Sequence, residues 1–169
     1  MEESVGRELL ETDNNIDSIR EMIDIIATGL KLQKKQAGTQ SPLVLAYIGD
    51  AVYELVVRTK VISQSEAPVS KLHKQSSQLV KAHAQAEIVR LLELTEEEER
   101  IFKRGRNAKS YTMAKNATMS DYRLATGFEA LIGYLYLNGN TERMLQLISA
   151  GIGKYAAREE KGCDDGMNH

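Results

Sequence analysis

Two apolar stretches of this chain carry carboxylates, which are the residues best suited to chemistry. The first is LAYIGDAVYELVVR, residues 45–58, in which Asp50 and Glu54 are four residues apart and would share one face of a helix. The second is LATGFEALIGYLYL, residues 124–137, which contains Glu129. A carboxylate in an apolar environment is costly unless it is protonated or paired with a cation. If the two stretches pack together, Asp50 and Glu129 could hold a divalent metal ion.

The ligand types indicate which metal such a site would bind. Carboxylates without His or Cys favour Mg²⁺ or Mn²⁺ over zinc, because hard cations prefer oxygen ligands. A simpler interpretation is open for Glu54, since Arg58 lies four residues later and could form a salt bridge with it. Gly49 and Gly133 lie inside the same two stretches. Glycine within a helix costs about 1 kcal/mol relative to alanine, so both positions suggest a close approach of helices.

A basic segment, residues 102–116, could bind phosphate groups, because Arg and Lys interleaved with Ser, Thr and Asn are the groups that contact phosphate. The candidate residues are Lys103, Arg104, Arg106, Asn107, Lys109, Ser110 and Lys115. We expect the segment to lie between two helices. The alternative is a solvated loop whose charge is balanced by the acidic run EEEER, residues 96–100. Together with a metal site, a basic segment favours phosphodiester hydrolysis, since a divalent cation activates water.

The overall composition excludes several classes of protein. The 169 residues have a formal net charge of −2, so any binding to nucleic acid must come from a local patch. The single cysteine, Cys163, excludes a disulfide or a paired-cysteine zinc site within one chain. The N-terminus lacks the pattern of a secretory signal, and charges interrupt every apolar run before it reaches membrane-spanning length. We therefore expect a cytoplasmic protein.

The elements that position these residues are all predicted to be helices, because apolar residues recur with the 3.6-residue period. An amphipathic helix is predicted over residues 15–35, and no function is assigned to it. Capping and stop signals predict further helices over residues 41–63, 67–92, 95–103, 120–137 and 141–158. The helix over 41–63 is apolar on nearly every side, which predicts a central position in the fold.

The residues that carry the chemistry resemble those of the ribonuclease III catalytic-domain family. YIGDAVYELVVR resembles the signature helix of that family, and ATGFEALIGYLYL resembles its second acidic helix. KRGRNAKS, between them, is similar to the small branch known as Mini-ribonuclease III. The resemblance covers residues 41 to about 155. It implies an N-terminal extension over 1–40, a ribonuclease III-like catalytic domain over 41–158 and a polar tail over 159–169.

The resemblance implies an all-α endonuclease domain that forms a two-fold homodimer and cleaves double-stranded RNA with Mg²⁺, for which Mn²⁺ is a plausible substitute. By motif match, Asp50 and Glu129 are the catalytic residues that hold the metal and activate water. Glu54 stays open between an outer metal ligand and a salt bridge. The basic segment would bind the RNA. The small branch trims the 5′ and 3′ ends of the 23S ribosomal RNA precursor, and a ribosomal protein could present this substrate.

Three positions depart from the pattern of the family. Leu43, Ala46 and Thr126 occupy places where further acidic residues are usual, so the number of metal ions per site is open. The chain also offers no separate double-stranded-RNA-binding domain of the kind that longer relatives have. The missing acids favour one alternative function, a non-catalytic RNA-binding or ribosome-assembly factor. A second alternative is a helical adaptor without a role in RNA metabolism.

Overall fold

The fold is helical and has no strand in the residues that the computed structural model describes, which are 23–33, 35–109 and 118–164, with side chains as far as residue 161. The prediction of an all-α fold is therefore confirmed. The helices are α1 (Pro42–Gln64), α2 (Val69–Val80), α3 (Ala82–Arg90), α4 (Glu96–Arg106), α5 (Met119–Leu137) and α6 (Thr141–Asp164). Among the described helices, none is both long and apolar enough to cross a membrane.

Side-chain caps fix the start of two predicted helices. The backbone N–H of Val44 donates to the Ser41 hydroxyl at 3.3 Å, and proline follows at the first helical position of α1. At α4, Thr95 and Glu98 form a capping box, in which each side chain accepts a hydrogen bond from the backbone of the other. Both predicted helix starts are confirmed, and α4 extends beyond the predicted end to Arg106.

The helix predicted over residues 67–92 is wrong, because the chain forms two helices there. Lys81 has an extended backbone (φ −64°, ψ 148°) that ends α2 and starts α3. The backbone carbonyl of Val80 accepts a hydrogen bond from the side-chain Nε2 of Gln85 at 2.8 Å. A local side-chain bond over five residues therefore replaces helical bonding at the break, and helical periodicity on either side of Lys81 does not reveal it.

Other boundaries differ at the ends of elements. Residues 23–29 are helical, and the helix ends there instead of reaching residue 35. Lys31 takes a left-handed backbone (φ 54°), and the N–H of Leu32 donates to the carbonyl of Ala27 at 2.7 Å, which closes the helix. The earlier part of this predicted helix lies outside the described residues. At the other end of the chain, α6 continues past the predicted end at residue 158.

The core lies where α1 and α5 cross, and this confirms the predicted central position of α1. Tyr53 and Phe128 are fully buried, with ring centroids 5.2 Å apart in an edge-to-face arrangement. The Tyr53 hydroxyl donates to the carbonyl oxygen of Leu79 at 3.0 Å, which joins α2 to the centre. α3 and α4 also pack on α5. The two helices that carry the candidate carboxylates are therefore the most extensively packed pair among the described helices.

Candidate active site

Two glycines allow α1 and α5 to cross with their backbones in contact. A Cβ atom on Gly49 would lie 1.8 Å from the carbonyl oxygen of Glu129. A Cβ atom on Gly133 would lie 2.0 Å from the carbonyl oxygen of Leu45. Real Cβ atoms essentially never lie closer than 3.0 Å to such atoms. A side chain therefore does not fit at either position. The close helix approach predicted from these glycines is confirmed.

This crossing brings the carboxylates of Asp50 and Glu129 to one site. Asp50 follows Gly49 directly, and the backbone of Glu129 is the group that Gly49 touches. Burial, and after it the negative charge of Asp50, raise the pKa of Glu129 to about 8. Burial and the negative charge of Glu54 raise the pKa of Asp50. Burial and neighbouring carboxylates therefore disfavour the ionised form of both side chains.

Gln85 of α3 provides a neutral hydrogen-bond partner for Glu129. Its Nε2 donates to Glu129 Oε1 at 3.1 Å and also to the carbonyl oxygen of Val80 at 2.8 Å. This bond lowers the pKa of Glu129 but does not outweigh the effect of burial. The sequence reasoning missed Gln85. The signal was a single amide between two alanines in AHAQAEIV, on the buried face of α3.

Glu54 forms the salt bridge that its spacing allowed. Its Oε2 lies 3.0 Å from Nη2 of Arg58, one turn later on α1. Both side chains are well exposed, so the pair contributes little to stability. The charge of Glu54 nevertheless acts on the site, since it is one cause of the raised pKa of Asp50. Its role as an outer metal ligand stays a prediction.

The positions where further acids are usual have no ligand function here. Leu43 is partly exposed, and Ala46 is buried. Thr126 is buried, and its hydroxyl donates to the backbone carbonyl of Tyr122 at 2.9 Å. In residues 23–33, 35–109 and 118–161, no group of three or more His, Cys, Asp or Glu side chains could hold a metal ion.

The residues present nevertheless fit a divalent cation of one particular kind. Asp50 and Glu129 supply oxygen donors alone, which hard cations prefer. Mg²⁺ in particular is often held by one or two carboxylates and retains several waters, so two protein ligands are sufficient. A bound cation would also relieve the repulsion that raises the pKa of Glu129. The donor set therefore suits Mg²⁺ better than zinc.

The basic segment begins inside α4 and not in a loop, which corrects the predicted placement. Glycines again allow the close contact: a Cβ atom on Gly105 would lie 2.7 Å from Ala130 Cβ, and one on Gly127 would lie 2.7 Å from the Phe102 ring. The cationic last turn of α4 is therefore packed against the part of α5 that carries Glu129. The start of the basic segment and Glu129 are therefore carried by helices in direct contact.

Most of the candidate phosphate-binding residues of this segment are described. Four of them have partners within the chain: Lys103 pairs with Glu99 at 2.9 Å, Arg104 donates to the Gln40 carbonyl at 3.5 Å, and Arg106 donates at 3.1 Å to Asn107, which is also a candidate. Lys109 is exposed. Ser110 and Lys115 lie outside the described residues. Glu99 belongs to the acidic run EEEER, so its ion pair with Lys103 supports the alternative that this run balances some of the basic charge.

The fold and the carboxylate site together define the class of the protein. Residues 43–140 match the model of the ribonuclease III domain family, and the chain belongs to this family. The match lies inside the catalytic domain predicted over 41–158. The N-terminal extension over 1–40 and the polar tail over 159–169 stay predictions. The chain is therefore a ribonuclease III-type endoribonuclease, and enzymes of this type act on double-stranded RNA. Ribonuclease III domains in general use a divalent metal.

Individual relatives narrow the class to its small branch. The chain is 49% identical over 144 residues to Mini-ribonuclease 3 of Clostridium tetani, covering 83% of this chain and 93% of the relative. It is 50% identical over 123 residues to Mini-ribonuclease 3 of a Thermoanaerobacter species, covering 72% and 87%. A crystal structure of a Fusobacterium nucleatum protein matches with a TM-score of 0.62 and 32% identity, covering 69% of this chain and 94% of that one. The resemblance to Mini-ribonuclease III is confirmed.

Proposed function

We propose that this endoribonuclease hydrolyses double-stranded RNA with Mg²⁺ held by Asp50 and Glu129, and that it trims the 5′ and 3′ ends of the 23S ribosomal RNA precursor in the cytoplasm. The observation that carries the proposal is the glycine crossing of α1 and α5, which brings two carboxylates together with no salt-bridge partner for either among the described residues. The Mini-ribonuclease 3 relatives support the enzyme over the non-catalytic alternative.

Each carboxylate has a stated task in this proposal. Asp50 and Glu129 bind the cation, and the rigid crossing of their helices fixes the separation of the two groups. When bound, Mg²⁺ supplies an activated water and stabilises the leaving oxygen of the phosphodiester. Glu129 must be ionised to act as a ligand, so its raised pKa makes metal binding depend on pH. The side-chain amide of Gln85 is uncharged, so its hydrogen bond to Glu129 does not neutralise the carboxylate that the cation would bind.

Two cationic surfaces support binding to the RNA backbone. The first is the basic segment at the end of α4. The second is α2 and the start of α3, because no Asp or Glu occurs between Glu66 and Glu87. Lys71, Lys74 and Lys81 on this second surface are exposed. Lys and Arg that contact phosphates bind RNA by the shape of its backbone more than by its sequence.

An apolar stripe along α1 supports the two-fold homodimer. Val44, Tyr47, Leu55 and Ile62 are exposed, and their spacing places them on one side of the helix. Tyr47 alone is 82% exposed. Arg58 interrupts this side of the helix, but a row of exposed apolar side chains is typical of protein–protein contact surfaces. Asp50 borders the stripe, so pairing of two copies would place one active site at each edge of the interface, and each subunit would cut one strand.

The central experiment is cleavage of a duplex RNA by the purified protein with Mg²⁺ or with EDTA. We expect Mg²⁺-dependent fragments from the wild type and intact RNA with EDTA. Asp50→Asn should fold and dimerise but lose cleavage. Normal cleavage by this variant would refute the metal assignment, and a mobility shift with intact RNA would favour a non-catalytic binder.

The substrate is tested separately in cells. Mapping the 23S ribosomal RNA ends in cells that lack the protein should reveal unprocessed 5′ and 3′ extensions, and mature ends would exclude this substrate. A ribosomal protein that presents the precursor should increase the cleavage rate when it is added to the purified reaction.

A further inference from the structure

Gln85 is a buried amide whose hydrogen bonds are incomplete. The residue is 1% exposed. Its Nε2 donates to Val80 and to Glu129, but its Oε1 is buried and has no partner among the described residues. Buried polar atoms are nearly always hydrogen-bonded, so an exception in the middle of a fold calls for an explanation. A leucine or alanine here would avoid the problem, and the surrounding helix is otherwise alanine-rich.

We propose that Gln85 is a positioning residue that holds the Glu129 carboxylate in its metal-binding orientation, and that its Oε1 accepts a hydrogen bond from water at the occupied site. This inference rests on the proposed function and extends it to a residue outside the carboxylate pair. Mutating a group that orients a metal ligand from behind typically weakens metal binding by about 10–100-fold.

The anchoring of Gln85 makes it suited to this task. The carbonyl of Val80 is available because the helix breaks at Lys81, and its bond with Nε2 restrains rotation of the amide. With the amide restrained, the second bond from Nε2 engages Glu129 Oε1 and leaves the other carboxylate oxygen for the cation. The break between α2 and α3 therefore has a consequence at the active site.

The neutrality of Gln85 is as important as its geometry. An arginine or lysine at this position would also orient Glu129, but its positive charge would satisfy the carboxylate and compete with the metal ion. An amide donates a hydrogen bond without adding charge. Glu129 is thereby oriented without a positive charge that would compete with the incoming cation. A purely structural contact would not require this combination.

The test compares Gln85→Met with the matched control Gln75→Met. Methionine keeps an unbranched chain of similar length but removes the amide. Gln75 also has a buried Oε1 without a partner among the described residues, and it contacts neither carboxylate of the site. Calorimetry with Mn²⁺, without RNA, should give about 10–100-fold weaker binding for Gln85→Met. Binding by Gln75→Met should match the wild type.

Cleavage kinetics provide a second measurement. The Mg²⁺ concentration for half-maximal cleavage should rise by a similar factor in Gln85→Met, with KM for RNA unchanged. Saturating Mg²⁺ should restore most of kcat. Wild-type Mn²⁺ affinity and an unchanged Mg²⁺ midpoint in Gln85→Met would overturn the inference.

Nuclear magnetic resonance of the wild-type protein keeps the inference testable if Gln85→Met does not fold. The side-chain amide signal of Gln85 should shift on addition of Mg²⁺, and the signal of Gln75 should not. An unmoved Gln85 signal, in protein that binds Mg²⁺, would overturn the positioning role alone. Wild-type protein that binds no divalent metal, with Asp50→Asn fully active, would instead refute the proposed function.

Discussion

Two carboxylates of this chain, Glu98 and Glu129, are both shielded from solvent but differ in the charge of their partners. Glu98, in the first turn of α4, is 6% exposed and accepts hydrogen bonds from Arg143 at 2.7 and 2.9 Å. Arg143 is the main reason that the pKa of Glu98 is lowered. Glu129, at the crossing of α1 and α5, is half-buried and accepts one bond from a neutral amide. Its pKa is raised to about 8.

The difference separates a structural carboxylate from a functional one. An arginine that pairs with Glu98 stabilises its ionised form and ties α4 to α6, so the charge contributes to folding. Within the described residues no cation pairs with Glu129, and its ionised form is destabilised in the metal-free protein. Perturbed acids of this second kind are typical of active sites. The ionised form of Glu129 lowers the stability of the metal-free protein, and a bound cation would stabilise it.

The largest expected effect contrasts the two residues in catalysis. Glu129→Gln should lower kcat for duplex RNA by at least about 10³-fold, because it removes one of the two metal ligands. Glu98→Gln should leave kcat within about threefold, since Glu98 lies on the capped start of α4 and pairs with Arg143. Single-turnover cleavage at saturating enzyme measures both. Equal losses in the two variants would abolish the distinction between them.

The next effect concerns the crossing that creates the functional site. Gly49→Ala should reduce the free energy of unfolding by about 3 kcal/mol, because its Cβ would lie 1.8 Å from the carbonyl oxygen of Glu129 and force the helices apart. Gly153→Ala is the matched control. A Cβ there meets nothing within 4 Å, so helix propensity predicts a gain of up to about 1 kcal/mol.

Chemical denaturation of the two glycine variants gives this comparison directly. A Gly49→Ala protein as stable as the wild type would mean that α1 and α5 can separate without cost. The rigid support proposed for Asp50 and Glu129 would then be wrong. Loss of Mn²⁺ affinity in the variant that remains folded would confirm that the crossing sets the separation of the carboxylates.

Much of this contrast can be predicted from the sequence because it depends on local patterns. Helical periodicity, two interior glycines and two acids in apolar stretches are sufficient to place Asp50 and Glu129 on central helices. The capping box at Thr95 likewise predicts the start of α4. In each case the deciding residues are within one or two helical turns of each other, so their relation is fixed once a helix is assumed.

The contacts that define the two environments could not be predicted in this way. Arg143 meets Glu98 across 45 residues of sequence, and Gln85 meets Glu129 across 44. Neither pairing has a periodic signature. The break at Lys81 was missed for the same reason, since the Gln85 amide that bonds to Val80 is itself placed by tertiary packing.

A smaller effect is expected on the free energy of unfolding when Glu98, the structural carboxylate, is replaced. Glu98→Gln should lower the free energy of unfolding by about 2 kcal/mol, because it weakens charge-assisted hydrogen bonds to Arg143. Glu99→Gln, the next residue of α4, removes an exposed ion pair with Lys103 and should cost at most about 0.5 kcal/mol. Equal losses in these neighbouring variants, measured by urea denaturation, would show that Arg143 does not distinguish the two sites.

The two carboxylates should also give the stability a pH dependence of opposite sign. In metal-free protein, native Glu129 keeps its proton up to pH of about 8, whereas the unfolded chain loses it near the ordinary pKa of 4.5. The native state then binds more protons than the unfolded state, so stability must fall as pH rises between these values, by at most about 1.4 kcal/mol per pH unit. Glu98, with its lowered pKa, contributes stability above the ordinary value that is lost as pH falls below it.

Urea denaturation across pH 5 to 8 in EDTA measures this dependence. As pH rises, the free energy of unfolding should fall less in Glu129→Gln than in the wild type. In Glu98→Gln it should fall with pH as steeply as in the wild type over this range. Saturating Mg²⁺ should remove the part of this decrease in unfolding free energy that is due to Glu129. The reason is that the cation stabilises the ionised carboxylate, which the fold alone disfavours. A wild-type slope that Mg²⁺ leaves unchanged would mean that the cation does not bind at Glu129. The contrast with Glu98 would then reflect burial alone and not function.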